Sequence, residues 1–322
     1  MFAIPLHRMN KIASAAILPM MVLAIVMSSR LLAKEAAPAM PAEGTLVVAN
    51  LRAQSLTVRD MSTGEVRELA LPGPPHEVAV AGGRVYVTLG RADAVAEVDV
   101  GGPSVTRLLS LEGTPHGLAI AGDTLFVTLE STGRLARVDR ASFAPGGSEA
   151  TGDTPHAVAV AGPDIFVTDS RDGRLRQLPS GVTLQTGAMP ESVVAVGAFV
   201  VTADNLAGTL TVFTAEPFAR VGQMALGGGP VRVIGLDERR VLVALSAGGE
   251  LAVVDLGARK VERRVKVAGR PDGLCLSPDG EFVAVASNAT AAVQVFRVKD
   301  WRLAGTMAAG DGPGACAWLP AD

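Results

Sequence analysis

Short apolar runs, each ending at glycine, proline or aspartate, recur along almost the whole of this chain. A representative stretch opens with PHEVAV at Pro75, turns at Gly82-Gly83, and continues with RVYVTL from Arg84. A third run, AVAEVD, closes on Asp99, and the more polar VTRLLSL follows from Val105. Runs this short, rich in valine and bounded by turn residues, predict four consecutive β-strands joined by tight turns. The first two runs are apolar at nearly every position, the mark of strands covered on both faces. The last alternates, as a strand does when one side meets water.

The same phrase returns. PHGLAI begins at Pro115 and PHAVAV at Pro155. Looser copies begin at Pro190, Pro230, Pro271 and Gly312, so that successive copies lie 40, 40, 35, 40, 41 and 41 residues apart. A period near forty is one four-stranded unit per repeat. The seventh copy has only its first strand before the chain ends. The three missing strands are found at the other end, as TLVVAN from Thr45, SLTVRD from Ser55 and EVRELAL from Glu65. The fold class is therefore all-β: a seven-bladed β-propeller over 44–322, four antiparallel strands per blade, closed by terminal strands that share one blade. Closure removes the free edges of an open stack.

These repeat phrases resemble the YVTN- and NHL-type propeller repeats over nearly all of 44–322. WD40 repeats are disfavoured by two tryptophans and no WD dipeptide. The tryptophan-docking motif of quinoprotein alcohol dehydrogenases is missing as well. PHGL at 115–118 and PHAV at 155–158 are similar to the phrase that carries a catalytic histidine in virginiamycin B lyase-like propellers, with FVTLE and FVTDS standing where that family has a W-F-T-E strand. That resemblance implies a divalent-metal-dependent lyase. A likeness to calcium-dependent lactonase propellers would draw on Asn50, Asp204, Asn205 and Asn288.

The first forty residues have another character. Arg8 and Lys11 precede an uncharged run from Ile12 to Ser29, and Ala37 and Ala39 offer a small-residue cleavage site. Residues 1–39 read as a secretory signal or an uncleaved anchor, which sends the domain to the periplasm or the exterior. Without them the chain carries 25 Lys and Arg against 31 Asp and Glu, net −6. That balance argues against nucleic acid as a partner, and nothing beyond the N-terminus suggests a membrane. The basic run from Arg259 to Arg270 falls on an expected outermost strand, where charge guards an edge.

The candidate chemistry is a column. Past His7, the histidines are His76, His116 and His156, each just after the proline that opens an inner strand. Continued round the ring, the slot reads Glu191, Val231, Asp272 and Pro313. Equivalent positions circle the central channel, so three imidazoles should share an arc, with Glu191 and Asp272 completing a polar lining. Three readings follow: histidines copied by duplication to bond channel carbonyls, a divalent-metal or ligand site built on His76, His116 and His156, or acid–base catalysis. No G-x-S-x-G, P-loop or dinucleotide fingerprint appears. Cys275 and Cys316 are read as one repeat position on neighbouring blades, pointing the same way and therefore unbridged. The polar stretch 142–153 is expected to be a long flexible connection. A binding module for a protein or small ligand on the loop face is the leading expectation, with a metal-dependent lyase or hydrolase as the alternative.

Overall fold

The computed structural model describes residues 37–321, so the leader or anchor read at 1–39 lies outside the described residues except for its last three. Seven four-stranded antiparallel sheets make the propeller. Blades 1 to 6 open with inner strands Val78–Ala81, Pro115–Ala121, Pro155–Ala161, Pro190–Val196, Pro230–Gly235 and Pro271–Leu276. Blade 7 takes its inner strand, Pro313–Leu319, from the C-terminus and its other three, Thr45–Asn50, Ser55–Asp60 and Val66–Ala70, from the N-terminus. No helix among the described residues is long and apolar enough to cross a membrane.

The core is a set of slabs, one between each pair of neighbouring blades. Val47, Leu56 and Val58 of blade 7 meet Val85 and Val87 of blade 1. Leu242 and Leu251 of blade 5 meet Val283 and Val285 of blade 6. The second strand of each blade is the most deeply covered, because residues on both its faces enter slabs. Inner strands are only partly covered, since their mouth ends and part of one face line the channel. Small and β-branched residues suit slabs this thin.

One irregularity recurs. Where the inner strand starts, an extra residue intervenes between its opening proline and the next regular pair. Pro115 faces Leu129 but Leu118 faces Val127, and Pro271 faces Ser287 but Leu274 faces Val285. This is a β-bulge, and a bulge re-aims the side chains beside it. In blade 7 the same bulge lies between Pro313, opposite Asn50, and Cys316, opposite Val48. The seventh slot residue is thus Gly314, not Pro313.

That shift also overturns the expectation about the cysteines. Cys316 is the third residue after its proline and Cys275 the fourth, so in the structure Cys316 is the counterpart of Leu274. Successive strand residues point to opposite faces. Cys275 faces forward into the slab between blades 6 and 7, and Cys316 faces back into it. They form a disulfide with Cα atoms 5.8 Å apart, a separation typical of such bridges. A second correction concerns 142–153. Ala144–Ala150 is the outer strand of blade 2, paired with Arg134–Asp139, so the stretch is not a flexible connection. The short repeat 3 has a plain cause: its outer strand, Thr183–Gln185, is only three residues long. The basic run does sit on an outermost strand, Lys260–Lys266, where Arg264 and Lys266 pair with Glu250 at 3.0 and 2.7 Å.

The bridge closes a loop with a sequence separation of 41, which predicts about 4 kcal/mol of stabilisation from restricting the unfolded chain. Denaturant unfolding of a C275A/C316A variant should show a loss of that order. Alkylation of the unfolded wild type should label two further thiols only after reduction.

Candidate functional site

Every inner strand begins at the same face of the disc, and the residue after its proline is turned by the bulge toward the axis. His76, His116 and His156 therefore stack along one arc of the channel mouth. Ring centroids are 4.5 Å apart between His76 and His116 and 4.0 Å between His116 and His156. Glu191 and Asp272 line the same chamber, together with Asn288, Val231 and Gly314. Its volume is about 190 Å³, room for several waters. The five predicted site residues are thus brought together.

The arc is held by a threonine found only in the three histidine blades. Thr88, Thr128 and Thr168 occupy the fifth position of their second strands, where the other blades have Ala49, Ala203, Ala244 and Ala286. The bulge takes one N–H out of the ladder, and the threonine hydroxyl accepts it. Glu77 N donates to Thr88 Oγ1 at 3.0 Å and Gly117 N to Thr128 Oγ1 at 2.7 Å. Each hydroxyl then donates onward to the next blade, Thr88 to the His116 carbonyl at 2.6 Å and Thr128 to the His156 carbonyl at 2.8 Å. Gly117 is required here, because a Cβ on it would lie 2.3 Å from the His156 carbonyl oxygen.

Three residues of this cluster escaped the reading of the sequence. Glu130 follows the second strand of blade 2 and reaches across to His156, whose Nδ1 donates to Glu130 Oε1 at 2.7 Å. Donor atoms of His116, Glu130 and His156 all lie within 4.8 Å of one another, a set that could hold a metal ion. The signal for Glu130 was its place in FVTLE, one residue beyond the strand that faces Pro115. Glu77 and Arg232 share the second position after the proline on blades 1 and 5, and Arg232 Nη1 donates to Glu77 Oε2 across the channel at 2.5 Å. This pair floors the mouth chamber and separates it from an inner chamber of about 260 Å³ lined by Gly117, Ser192, Leu274 and Cys316. Opposite charges at one position of an inner strand were the available signal. Of the lactonase-like set, Asn288 lines the chamber and donates to Asp272 at 3.3 Å. Inside their own blades, Asn50 Nδ2 donates to Ser55 and Thr57, and Asp204 accepts from Thr202, Thr209 and Thr211.

Desolvation governs the protonation of the site. Burial first, then the neighbouring His156, His76 and Arg232, pushes His116 well below the usual imidazole range. Burial also lowers His76, against the pull of Glu130. Burial raises the Glu191 carboxyl, with Asp272 adding to the rise while His156 and Arg232 oppose it. Burial works against the Arg232 charge as well, but Glu77 and Asp272 outweigh it and hold the guanidinium protonated.

Two outcomes are expected. Thr128→Val keeps the shape but strands the Gly117 N–H and the His156 carbonyl, which should cost about 2–3 kcal/mol in urea unfolding. Second, His76 and His116 have lowered values in the native state, so between those values and about pH 6.5 the unfolded chain binds protons that the folded one does not. In chelator, their contribution should be fully present above that pH and lost as pH falls below it. His116→Gln should flatten that part of a stability–pH profile.

No protein-family model matches the chain, so the YVTN- and NHL-type resemblance rests on the repeat phrases alone. No curated protein matches it either. Solved structures do. A functionally unknown protein from Desulfotomaculum acetoxidans superposes with a TM-score of 0.74 at 12% identity, covering 87% of this chain and 100% of that one. Apo AztD from Citrobacter koseri gives 0.64 at 12% identity, over 86% of this chain and 98% of that one. Virginiamycin B lyase from Staphylococcus aureus gives 0.63 at 11% identity, over 78% and 94%. At such identities what is shared is the propeller fold.

Proposed function

We propose that this protein is an exported binding module whose channel mouth holds a divalent transition metal through His116, His156 and Glu130, with His76 adjoining. The observation that carries this reading is the convergence of those three donor groups within 4.8 Å on a backbone fixed by Thr88 and Thr128. Imidazole and carboxylate donors suit zinc and its neighbours. Lowered values for His76 and His116 leave both rings neutral near pH 7, the state a metal requires. The proton between His156 Nδ1 and Glu130 is the one a metal would displace. Export is supported by the signal-like N-terminus and by the Cys275–Cys316 bridge, which suits an oxidising compartment. A protein or small ligand would approach from the mouth face.

A metal-dependent lyase or hydrolase is the second reading. It draws support from Glu191, a carboxyl raised by burial in the same chamber as the histidines and so suited to carry a proton. A histidine-to-alanine form of the Staphylococcus aureus lyase is described as catalytically inactive; that belongs to the neighbour and only makes the reading worth testing.

Zinc titration by calorimetry should give one ion per chain, and free zinc at about a hundred times Kd should stabilise the fold by about 2.7 kcal/mol. His116→Ala should weaken binding more than His76→Ala, since His116 stacks between both other rings. Zinc affinity should fall as pH drops through the imidazole range. Undiminished binding by an H116A/H156A variant would exclude the site.

A further inference from the structure

The metal reading accounts for one wall of the mouth chamber. The facing wall, Glu191 and Asp272, has no role in it. Among the described residues no hydrogen-bond donor reaches the Glu191 carboxyl, and Asp272 takes a side-chain donor only from Asn288, at 3.3 Å. Both carboxyls border the 190 Å³ chamber. The chamber's one cation is already engaged, because Arg232 donates to Glu77 across the channel. Arg52, at the rim, is held by Asp311 at 2.8 Å and by the Asn288 carbonyl at 2.6 Å. Glu77, Glu191 and Asp272 thus outnumber the one guanidinium, Arg232, an excess of acidic over basic side chains in a partly desolvated space. Such carboxylates are costly to leave without partners.

An anionic ligand would deepen that imbalance. A second hard divalent ion fits poorly, because such ions take about six or more oxygens. Glu191, Asp272 and the Asn288 amide supply too few, and the group that could hold an ion among the described residues is His116, Glu130 and His156. A group with several N–H donors and a positive charge meets both needs, since it neutralises the wall and bonds two carboxylates at once. Resting on the metal reading for its other end, we propose that the ligand of this mouth is a small amine: a metal-binding head directed to His116 and His156, and an ammonium group seated between Glu191 and Asp272. The Glu77–Arg232 floor limits how deep it goes, and the open mouth lets a longer body project outward.

The test uses two probes of the same shape. 3-Aminopropanohydroxamate and butanohydroxamate share a chelating head and differ in ammonium against methyl. Titrated into the cobalt-loaded protein and followed by the cobalt absorption bands, the amine should bind about tenfold tighter or more, the size of one charge-assisted contact. In E191Q/D272N, checked for an unchanged melting curve, that preference should vanish while butanohydroxamate binds as before. Equal binding by wild type, or a preference that survives E191Q/D272N, overturns the proposal. Failure of cobalt to bind overturns the metal reading instead. The ammonium seat is then decided in chelator with 1,3-diaminopropane, measured by calorimetry. Binding that is lost in E191Q/D272N supports the seat, and no binding by wild type overturns it.

Discussion

The antiparallel pairing of Pro313–Leu319 with Thr45–Asn50 is the contact on which the rest of the molecule depends. It joins the two ends of the described chain into one sheet and turns a row of blades into a ring. Without it the slab between blades 7 and 1 and the slab between blades 6 and 7 would each lose a wall. The Cys275–Cys316 bridge lies in the second of these and ties the closing strand to blade 6. In a closed ring every blade has a neighbour on each face, so each inner strand is held at a set angle to the next. Only then do slot residues on separate blades meet.

Closure alone would arrange any residues around the axis. What shapes the mouth is a local defect repeated at each inner strand. The bulge turns the slot side chain toward the channel and frees an N–H, and in the blades of His76 and His116 a threonine uses that N–H to grip the next histidine's backbone. The ring has kept one backbone geometry while its side chains diverged. Three blades carry imidazoles, two carry acids, and Arg232 and Glu77 close the floor between them. The low dielectric that keeps His116 neutral also raises Glu191. Both shifts come from desolvation, acting in opposite directions because one group is charged when protonated and the other when not.

The sequence by itself determined what repetition and alternation can encode. Blade number, strand count, the shared blade and the gathering of His76, His116, His156, Glu191 and Asp272 all follow from a period and a strand's two-residue side-chain rhythm. These are local patterns, legible wherever seven copies can be aligned. The tertiary structure decided whatever depended on one residue of register or on contacts between blades. The strand pairing put Gly314 in the slot read as Pro313, and it set Cys275 and Cys316, four and three residues after their prolines, on facing sides, because a single step along a strand reverses a side chain's direction. Glu130 meets His156 from the neighbouring blade, and Arg232 meets Glu77 across the channel from 155 residues away. A repeat phrase shows which residues are equivalent. Which of them touch is set by the ring's radius and the bulge's turn, and those exist only once the chain has closed.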